Sequence, residues 1–240
     1  MFGLFQQKRT FSPLTVDLHS HLIPGIDDGV KTWEESLEII RGLSALGIKK
    51  LITTPHILSD YYPNTPTIIR EGVATLRQKI TEENLDMEVQ AGAEYYVDDS
   101  FVEQLDTNQE LLTFAGNHIL LETAFMNKPM QLEDVFFKLK AKGLQPIFAH
   151  PERYSYIQQD PALILKFRDM GVLQQVNASS FTGHYSYEAK QTAQYLIAQQ
   201  WVDFVGSDIH NLRHLEVYKK ALQTKSFQKA GQLSLRNNSL

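Results

Sequence analysis

The sequence predicts a parallel α/β domain, closed or nearly closed into a barrel, and three observations carry that expectation. Short β-branched or apolar runs alternate about seven times with longer segments of helical spacing. Nearly every run finishes in polar residues, and no Pro/Gly/Ser-rich linker, low-complexity tract or internal repeat breaks the rhythm. Such alternation implies right-handed βαβ units around a parallel sheet. Seven units in 240 residues suit a single barrel, with an open doubly wound sheet as the structural alternative.

The strand candidates are 15–19, 49–54, 87–93, 118–122, 145–149, 173–177 and 202–206. Between them the helical segments are 32–46, 67–84, 100–104, 130–142, 161–170 and 185–199. Thr32 with Glu35 three residues on has the form of a capping box opening the first helix. In the last, Ala189, Ala193, Leu196 and Ile197 recur at the spacing of one buried stripe. Residues 1–15 read as an N-terminal extension, 16–225 as one domain, and 226–240, which are polar, as a loosely held tail.

Composition narrows the function. Hydrophobic residues make up 42% and charged ones 21%, and no stretch approaches the roughly 20 apolar residues of a membrane span, so a soluble protein is expected. The formal net charge of −5 argues against nucleic-acid binding, which uses a basic face. With no cysteine there is no disulfide, no thiolate metal site and no cysteine nucleophile. The opening MFGLFQQKRTF lacks the apolar segment of a secretory signal, which predicts a cytoplasmic location. Phe2, Leu4, Phe5, Lys8 and Arg9 could touch an anionic membrane surface, although a frayed terminus is the plainer reading.

In parallel barrels the loops after the strands converge, so the carboxyl ends of the strands mark the site. Here they deliver His19, His21, Asp27 and Asp28, then His56, Glu94, Glu122, His150, Asn177, Asp208 and His210. Any one of these has an ordinary structural explanation, but all of them at one rim do not. Asp28, Glu94, Glu122 and Asp208 crowded together would repel one another unless cations were present. A mixed imidazole and carboxylate site without thiolate suits Mn²⁺, Fe²⁺ or Zn²⁺, with a bridging carboxylate holding two ions. His19 and His21 would share one ion, and glycines 25 and 29 would let the loop return Asp28 to a second. Asp27 would instead cap the helix near Thr32 or bond the loop. His118 and His184 read as structural, and His214 is left open.

The stretches DLHSHLIPGIDDG, TPH, GAEYY, LLE, AHPERY and GSDIHN occur in this order over residues 17–211. Together they resemble the polymerase and histidinol phosphatase (PHP) superfamily, and within it the bacterial manganese-dependent protein tyrosine phosphatases of capsule and exopolysaccharide operons. The resemblance implies a distorted TIM-like (β/α)7 barrel with a three-metal centre, Mn²⁺ first, with Fe²⁺, Zn²⁺ or Co²⁺ as alternatives. It implies metal ligation by His19, His21, Asp28, His56, Glu94, Glu122, His150, Asp208 and His210, with Glu94 the bridging ligand. Arg153 matches the arginine that contacts phosphate, and Arg213 is the nearest candidate for a second. The implied substrate is phosphotyrosine on the C-terminal tail of an autophosphorylating bacterial tyrosine kinase, through which the protein could associate peripherally with a membrane.

On this reading a metal-bound hydroxide attacks phosphorus directly, without a phosphoenzyme. Arg153 holds phosphoryl oxygens, and Asp208 or His210 guides the leaving-group proton. Tyr61 and Tyr62 would contact substrate at the cavity mouth, where Tyr95, Tyr96, Phe181 and Tyr185 could extend an aromatic wall. The alternatives are a small-molecule phosphatase such as a histidinol phosphatase, a non-enzymatic binding protein, and a nuclease-type barrel. Short loops, an intact ligand set and the acidic charge respectively disfavour them.

Overall fold

Short polar side chains fix where the helices begin. A computed structural model describes residues 12–240, so the basic and aromatic arm proposed for membrane contact lies outside the described residues. In chain order the elements are β1 (Val16–Asp17), α1 (Trp33–Ala45), β2 (Lys50–Thr53), β3 (His56–Ile57), α2 (Pro66–Glu82), β4 (Glu88–Ala91), β5 (Glu94–Tyr96) and α3 (Asp99–Asp106). There follow β6 (His118–Glu122), α4 (Leu132–Ala141), β7 (Gln145–Ala149), α5 (Ser155–Gln159), α6 (Leu163–Asp169), β8 (Leu173–Asn177), α7 (Tyr187–Ala198), β9 (Phe204–Gly206), α8 (Leu212–Ala221) and α9 (Lys225–Ala230). Thr32, Thr65, Asp98, Ser186, Asn211 and Thr224 each accept a hydrogen bond from a backbone N–H in the first turn of the helix they precede, satisfying a donor the helix cannot. The expected capping box is half realised: Glu35 N–H donates to Thr32 Oγ1 at 3.2 Å, but Glu35 Oε2 accepts from Lys31 N–H at 3.0 Å rather than from Thr32.

The strands form two all-parallel sheets, one ordered β1-β2-β4 and the other β3-β5-β6-β7-β8-β9. The second and third expected strands, 49–54 and 87–93, form β2 and β4, and each is followed by a short strand that was not expected, β3 or β5, in the other sheet. Pro55, which has no N–H to donate, separates β2 from β3, and Gly92 and Ala93 separate β4 from β5. His56 and Glu94 therefore open short strands of their own, and they are register partners. Beyond β1 and β9 the chain continues to pair: Asp208 N–H donates to His19 O at 2.8 Å, and His21 N–H to Ile209 O at 2.9 Å.

Two apolar layers hold this arrangement. The larger packs the helices against the sheets, where the stripe Ala189, Ala193, Leu196 and Ile197 of α7 is buried as its spacing requires. The smaller lies between the strands and contains Val16, Leu18, Ile52, Phe114, Leu120, Ile147 and Phe204. Removing such side chains from water supplies about 25 cal/mol per Å².

Residues 226–240 are not a loose tail. Phe227 of α9 is buried, and fully buried Asn237 donates to Val16 O at 3.1 Å and Val205 O at 2.9 Å while accepting from Val205 N–H at 3.1 Å. Most polar side chains of this stretch are exposed, but Asn237 among them is buried and satisfies the backbone of two strands. Helices α5 and α8 are further elements beyond those expected from spacing. Among the described residues no helix is long and apolar enough to cross a membrane.

Candidate metal centre

Every candidate donor lies at or beyond the carboxyl end of a strand, His56 and Glu94 as the first residues of the short strands β3 and β5 that continue from β2 and β4, because parallel strands all point one way. They face a cavity of about 480 Å³ whose lining includes Asp28, His56, Glu94, Glu122, His150, Arg153, Asp208 and His210. His19 and His21 lie fully buried beside Glu94 and Asp208. Backbone shape contributes directly. His150 at φ 34° and Asp208 at φ 52° occupy the left-handed region, which non-glycine residues adopt at a cost of about 1–3 kcal/mol when the surroundings over-determine them. Gly206 is required by crowding: a Cβ there would stand 2.8 Å from Gln175 Nε2 and 2.9 Å from His19 Cβ.

Four interlocking groups of donors converge, each with its atoms mutually within 4.8 Å: His21, Asp28, His56 and His210; His19, His21 and Glu94; His19, His150 and Asp208; and His56, Glu94 and Glu122. Glu94 connects them. Its Oε2 lies 3.1 Å from His19 Nε2, 3.4 Å from His21 Nε2 and 3.3 Å from His56 Nδ1, while Oε1 lies 2.9 Å from His150 Nε2. His19 Nε2 and His21 Nε2 approach to 3.3 Å, and the rings of His21 and His210 stack with centroids 3.9 Å apart.

These distances are what converging lone pairs produce. His56 Nδ1 comes within 2.9 Å of Glu122 Oε1 yet, like His150 Nδ1, is buried without a hydrogen-bond partner. Burial disfavours the charged His56 ring, but Glu94 and Glu122 outweigh it and hold the group up at about 10. Burial likewise opposes the carboxylates of Glu94 and Asp208, yet the surrounding imidazoles keep both well below the usual range. Without ions, protons on imidazole must balance the negative charge; divalent cations would do so with lone pairs already aimed at them. The donor set therefore fits metal ions, and its nitrogen and oxygen composition fits borderline or hard ones.

Partners behind the rim set how the donors point. His21 Nδ1 hydrogen bonds Asp27 Oδ2 at 2.7 Å, and Asp27 also accepts from Gly29 N–H at 2.9 Å and His56 N–H at 3.1 Å. Asp27 thus bonds its loop, as expected, but it also orients His21, which spacing did not reveal. Gln175, overlooked in the sequence, accepts from His19 Nδ1 at 2.8 Å and donates to Asn177 Oδ1 at 2.8 Å. Asn177 in turn donates to Asp208 Oδ2 at 2.6 Å. Tyr185 O–H donates to the same oxygen at 3.1 Å, as does Arg153 Nη1 at 3.1 Å. The Arg153 guanidinium is sandwiched between the rings of Phe125, 4.7 Å away, and Tyr185, 4.1 Å away.

Other expected contacts fall outside the cavity. Arg213 is exposed on α8 and is not a lining residue, whereas its neighbour His214 is. His184, read as structural, packs edge-on against His214 with centroids 5.2 Å apart. Tyr61 is 75% exposed, and Tyr62 stacks on His56 at 5.6 Å without lining the cavity. Tyr95 and Phe181 are buried in the apolar core, so of the proposed aromatic wall only Tyr96 and Tyr185 face the cavity, joined by Phe125.

A parallel α/β protein with imidazoles and carboxylates clustered at its strand ends is of the metal-centre class. Residues 15–232 match the model of the capsular polysaccharide synthesis proteins CpsB/CapC, and the chain belongs to that family. It is 30% identical over 198 residues to tyrosine-protein phosphatase YwqE of Bacillus subtilis, covering 82% of this chain and 78% of that one. To tyrosine-protein phosphatase CpsB of Streptococcus agalactiae serotype V it is 25% identical, covering 92% and 96%. A crystal structure from work on YwqE of B. subtilis and CpsB of Streptococcus pneumoniae, described as unique metal-dependent tyrosine phosphatases, superposes with a TM-score of 0.78. Identity there is 28%, over 92% of this chain and 94% of that one. A zinc-bound amidohydrolase from Burkholderia ambifaria, at 9% identity and a TM-score of 0.51, shares the fold alone.

Proposed function

We propose that this chain is a metal-dependent, cysteine-independent phosphomonoesterase that hydrolyses protein phosphotyrosine. The observation that carries the reading is the set of four interlocking donor groups opening, beside Arg153, into one cavity. The names of its relatives supply the substrate class. We infer that the two sheets are parts of one distorted (β/α)7 barrel, since backbone bonds at His19, His21, Asp208 and Ile209 link the chain after β1 to the chain after β9.

His19, His21, Asp28, His56, Glu94, Glu122, His150, Asp208 and His210 would hold the ions, Mn²⁺ foremost and three in number, with Fe²⁺, Zn²⁺ or Co²⁺ as competitors for the same donors. Bound ions of this kind lower the pKa of water and neutralise phosphoryl charge. Arg153 commits Nη1 to Asp208, leaving its other N–H groups for phosphoryl oxygens, in a planar fork that lysine cannot reproduce. Asp208, held ionised by its neighbours, has no proton to give; it orients Arg153, and a phenolate of pKa near 10 leaves without a strong acid. The partner is then a tyrosine kinase whose phosphorylated tail enters an open rim, in keeping with a family concerned with capsular polysaccharide. A cytoplasmic setting goes with that partner, since kinases draw on cytoplasmic ATP.

The test is phosphate release by the metal-stripped full chain, with and without added Mn²⁺, from a phosphotyrosine peptide, a phosphoserine peptide and histidinol phosphate. Preferential Mn²⁺-dependent release from phosphotyrosine is expected. Preference for histidinol phosphate would overturn the substrate class, and no release with any divalent ion would overturn the enzyme.

A further inference from the structure

Above the donors the cavity wall changes character. Leu58, Tyr96 and Phe125 line it, each two or three residues beyond a donor: His56, Glu94 and Glu122 respectively. In extended chain, residues two apart point to the same side, so Tyr96 stands on the same face of β5 as Glu94 and one step nearer the mouth. Leu58 continues β3 in the same way from His56. The three are anchored from behind. Leu58 and Tyr62 exchange backbone hydrogen bonds of 3.0 and 2.8 Å; Tyr96 pairs with Glu122 in register; and Phe125 O accepts from Ser155 N–H at 2.8 Å.

We propose that Leu58, Tyr96 and Phe125 form a preformed apolar collar that receives the aryl ring of the substrate, making the cavity selective for aryl over alkyl phosphomonoesters. This rests on the phosphatase reading above. An aryl ester spans the collar with its ring, matching apolar surface to apolar surface. An alkyl ester such as phosphoserine is shorter by that ring, so reaching the same depth would drag peptide N–H and C=O groups into the collar, where they find no partners. Discrimination then comes from the walls and not from the ions or Arg153, which meet the same phosphoryl group in both.

The experiment removes leaving-group reactivity from the comparison. Inhibition constants of benzylphosphonate and methylphosphonate are measured against phosphotyrosine-peptide hydrolysis by the Mn²⁺-loaded full chain, for the wild type, Leu58→Ala, Tyr96→Ala and Tyr96→Phe. Phe125 is left intact because its ring also stacks on Arg153. The expected result is an increase of about tenfold for benzylphosphonate in each alanine variant, comparable to small changes in an apolar pocket. Methylphosphonate should stay within about twofold, and Tyr96→Phe should keep the aryl preference. Equal changes for both phosphonates, or no change for either, would overturn the collar while wild-type hydrolysis of phosphotyrosine left the enzyme standing. Should Leu58→Ala fail to fold, the two Tyr96 variants decide the matter. A wild type that neither hydrolyses phosphotyrosine nor binds either phosphonate removes the phosphatase reading, and the collar with it.

Discussion

Strand β6 carries His118 at one end and Glu122 at the other, and the two meet opposite surroundings. The His118 ring lies beside Phe114, centroids 6.0 Å apart, and edge-on to Phe204 at 6.3 Å, with Nδ1 3.2 Å from Ala115 O. Glu122 lies 2.9 Å from His56 and 3.9 Å from His150. Midway, Leu120 is fully buried in the inner apolar layer. The amino end is closed by apolar packing and by Asn237, whose side chain bonds the backbone of Val16 and Val205. At the carboxyl end imidazole nitrogens crowd carboxylates, and two lack hydrogen bonds altogether. One end supplies stability and the other stores unsatisfied donors for a ligand, which is where local rules of consistency are expected to fail in a functional protein.

The strongest way to break this contrast is Glu94→Gln. Glu94 belongs to two of the four donor groups and lies 3.4 Å from His21 and 2.9 Å from His150 of the other two, so losing its charge should separate the ions it would join. Phosphatase activity should fall about a thousandfold, the several kcal/mol that metal stabilisation of charge supplies. Elemental analysis should show fewer ions per chain, and the metal-free variant should melt lower than the metal-free wild type, because the protonated imidazoles around Glu94 lose the charge that balances them. Wild-type turnover with full metal content would remove Glu94 from the centre.

Leu120→Ala should act in reverse. A cavity in the inner layer is expected to cost about 2–5 kcal/mol in urea unfolding of the metal-free protein. At saturating Mn²⁺, turnover per folded molecule should change little, because Leu120 belongs to the inner apolar layer and does not line the cavity. Large losses of turnover without loss of stability would mean that the layer tunes the site and does not merely support it.

Asp27→Asn tests the zone between the extremes. The carboxylate fixes His21 through Nδ1 from outside the cavity, and asparagine keeps its size while losing its charge. Mn²⁺ affinity, followed by competition with a chelator, should weaken about 10- to 100-fold, as for other partners of ligand histidines. Unaltered affinity would show that the loop alone orients the ring.

The same contrast explains what could be read from the chain. Ligand-type residues at successive strand ends were legible because a parallel sheet must bring those ends together, whatever the details of each loop. Gln175 was not, since its meaning depends on His19, 156 residues away, and nothing in QQVN distinguishes a bonded glutamine from a solvated one. Asn237 is the same case at the opposite end. Tyr95 and Arg213 were open to a sharper reading. Alternation along β5 sends Tyr95 away from the side shared by Glu94 and Tyr96, and its hydroxyl accepts from Leu112 N–H in the core. On α8 successive residues turn by about 100°, so Arg213 and His214 cannot both face the cavity. Helix α8 itself was visible in Asn211 as a cap and in Leu215, Tyr218 and Leu222 at helical spacing.

The smallest expected effect lies in His118, and it separates the two ends by pH. Burial lowers its folded-state pKa below 6.5; the Ala115 carbonyl opposes that shift, and the Arg236 charge adds to it. Between the folded and unfolded values the unfolded chain binds the extra proton, so stability is intact above about pH 6.5 and is lost as the pH falls through the folded pKa. His118→Gln should remove that part of the slope. Unfolding of the metal-free wild type and variant, compared at pH 7.5 and pH 5.5, should give a double difference below about 1 kcal/mol, in the direction of a relative gain for the variant at low pH. Taking the difference cancels the histidines of the carboxyl end, which titrate in both proteins. A double difference of opposite sign would mean that His118 is charged in the fold, and that the amino end of β6 is not the apolar floor its neighbours Phe114 and Phe204 describe.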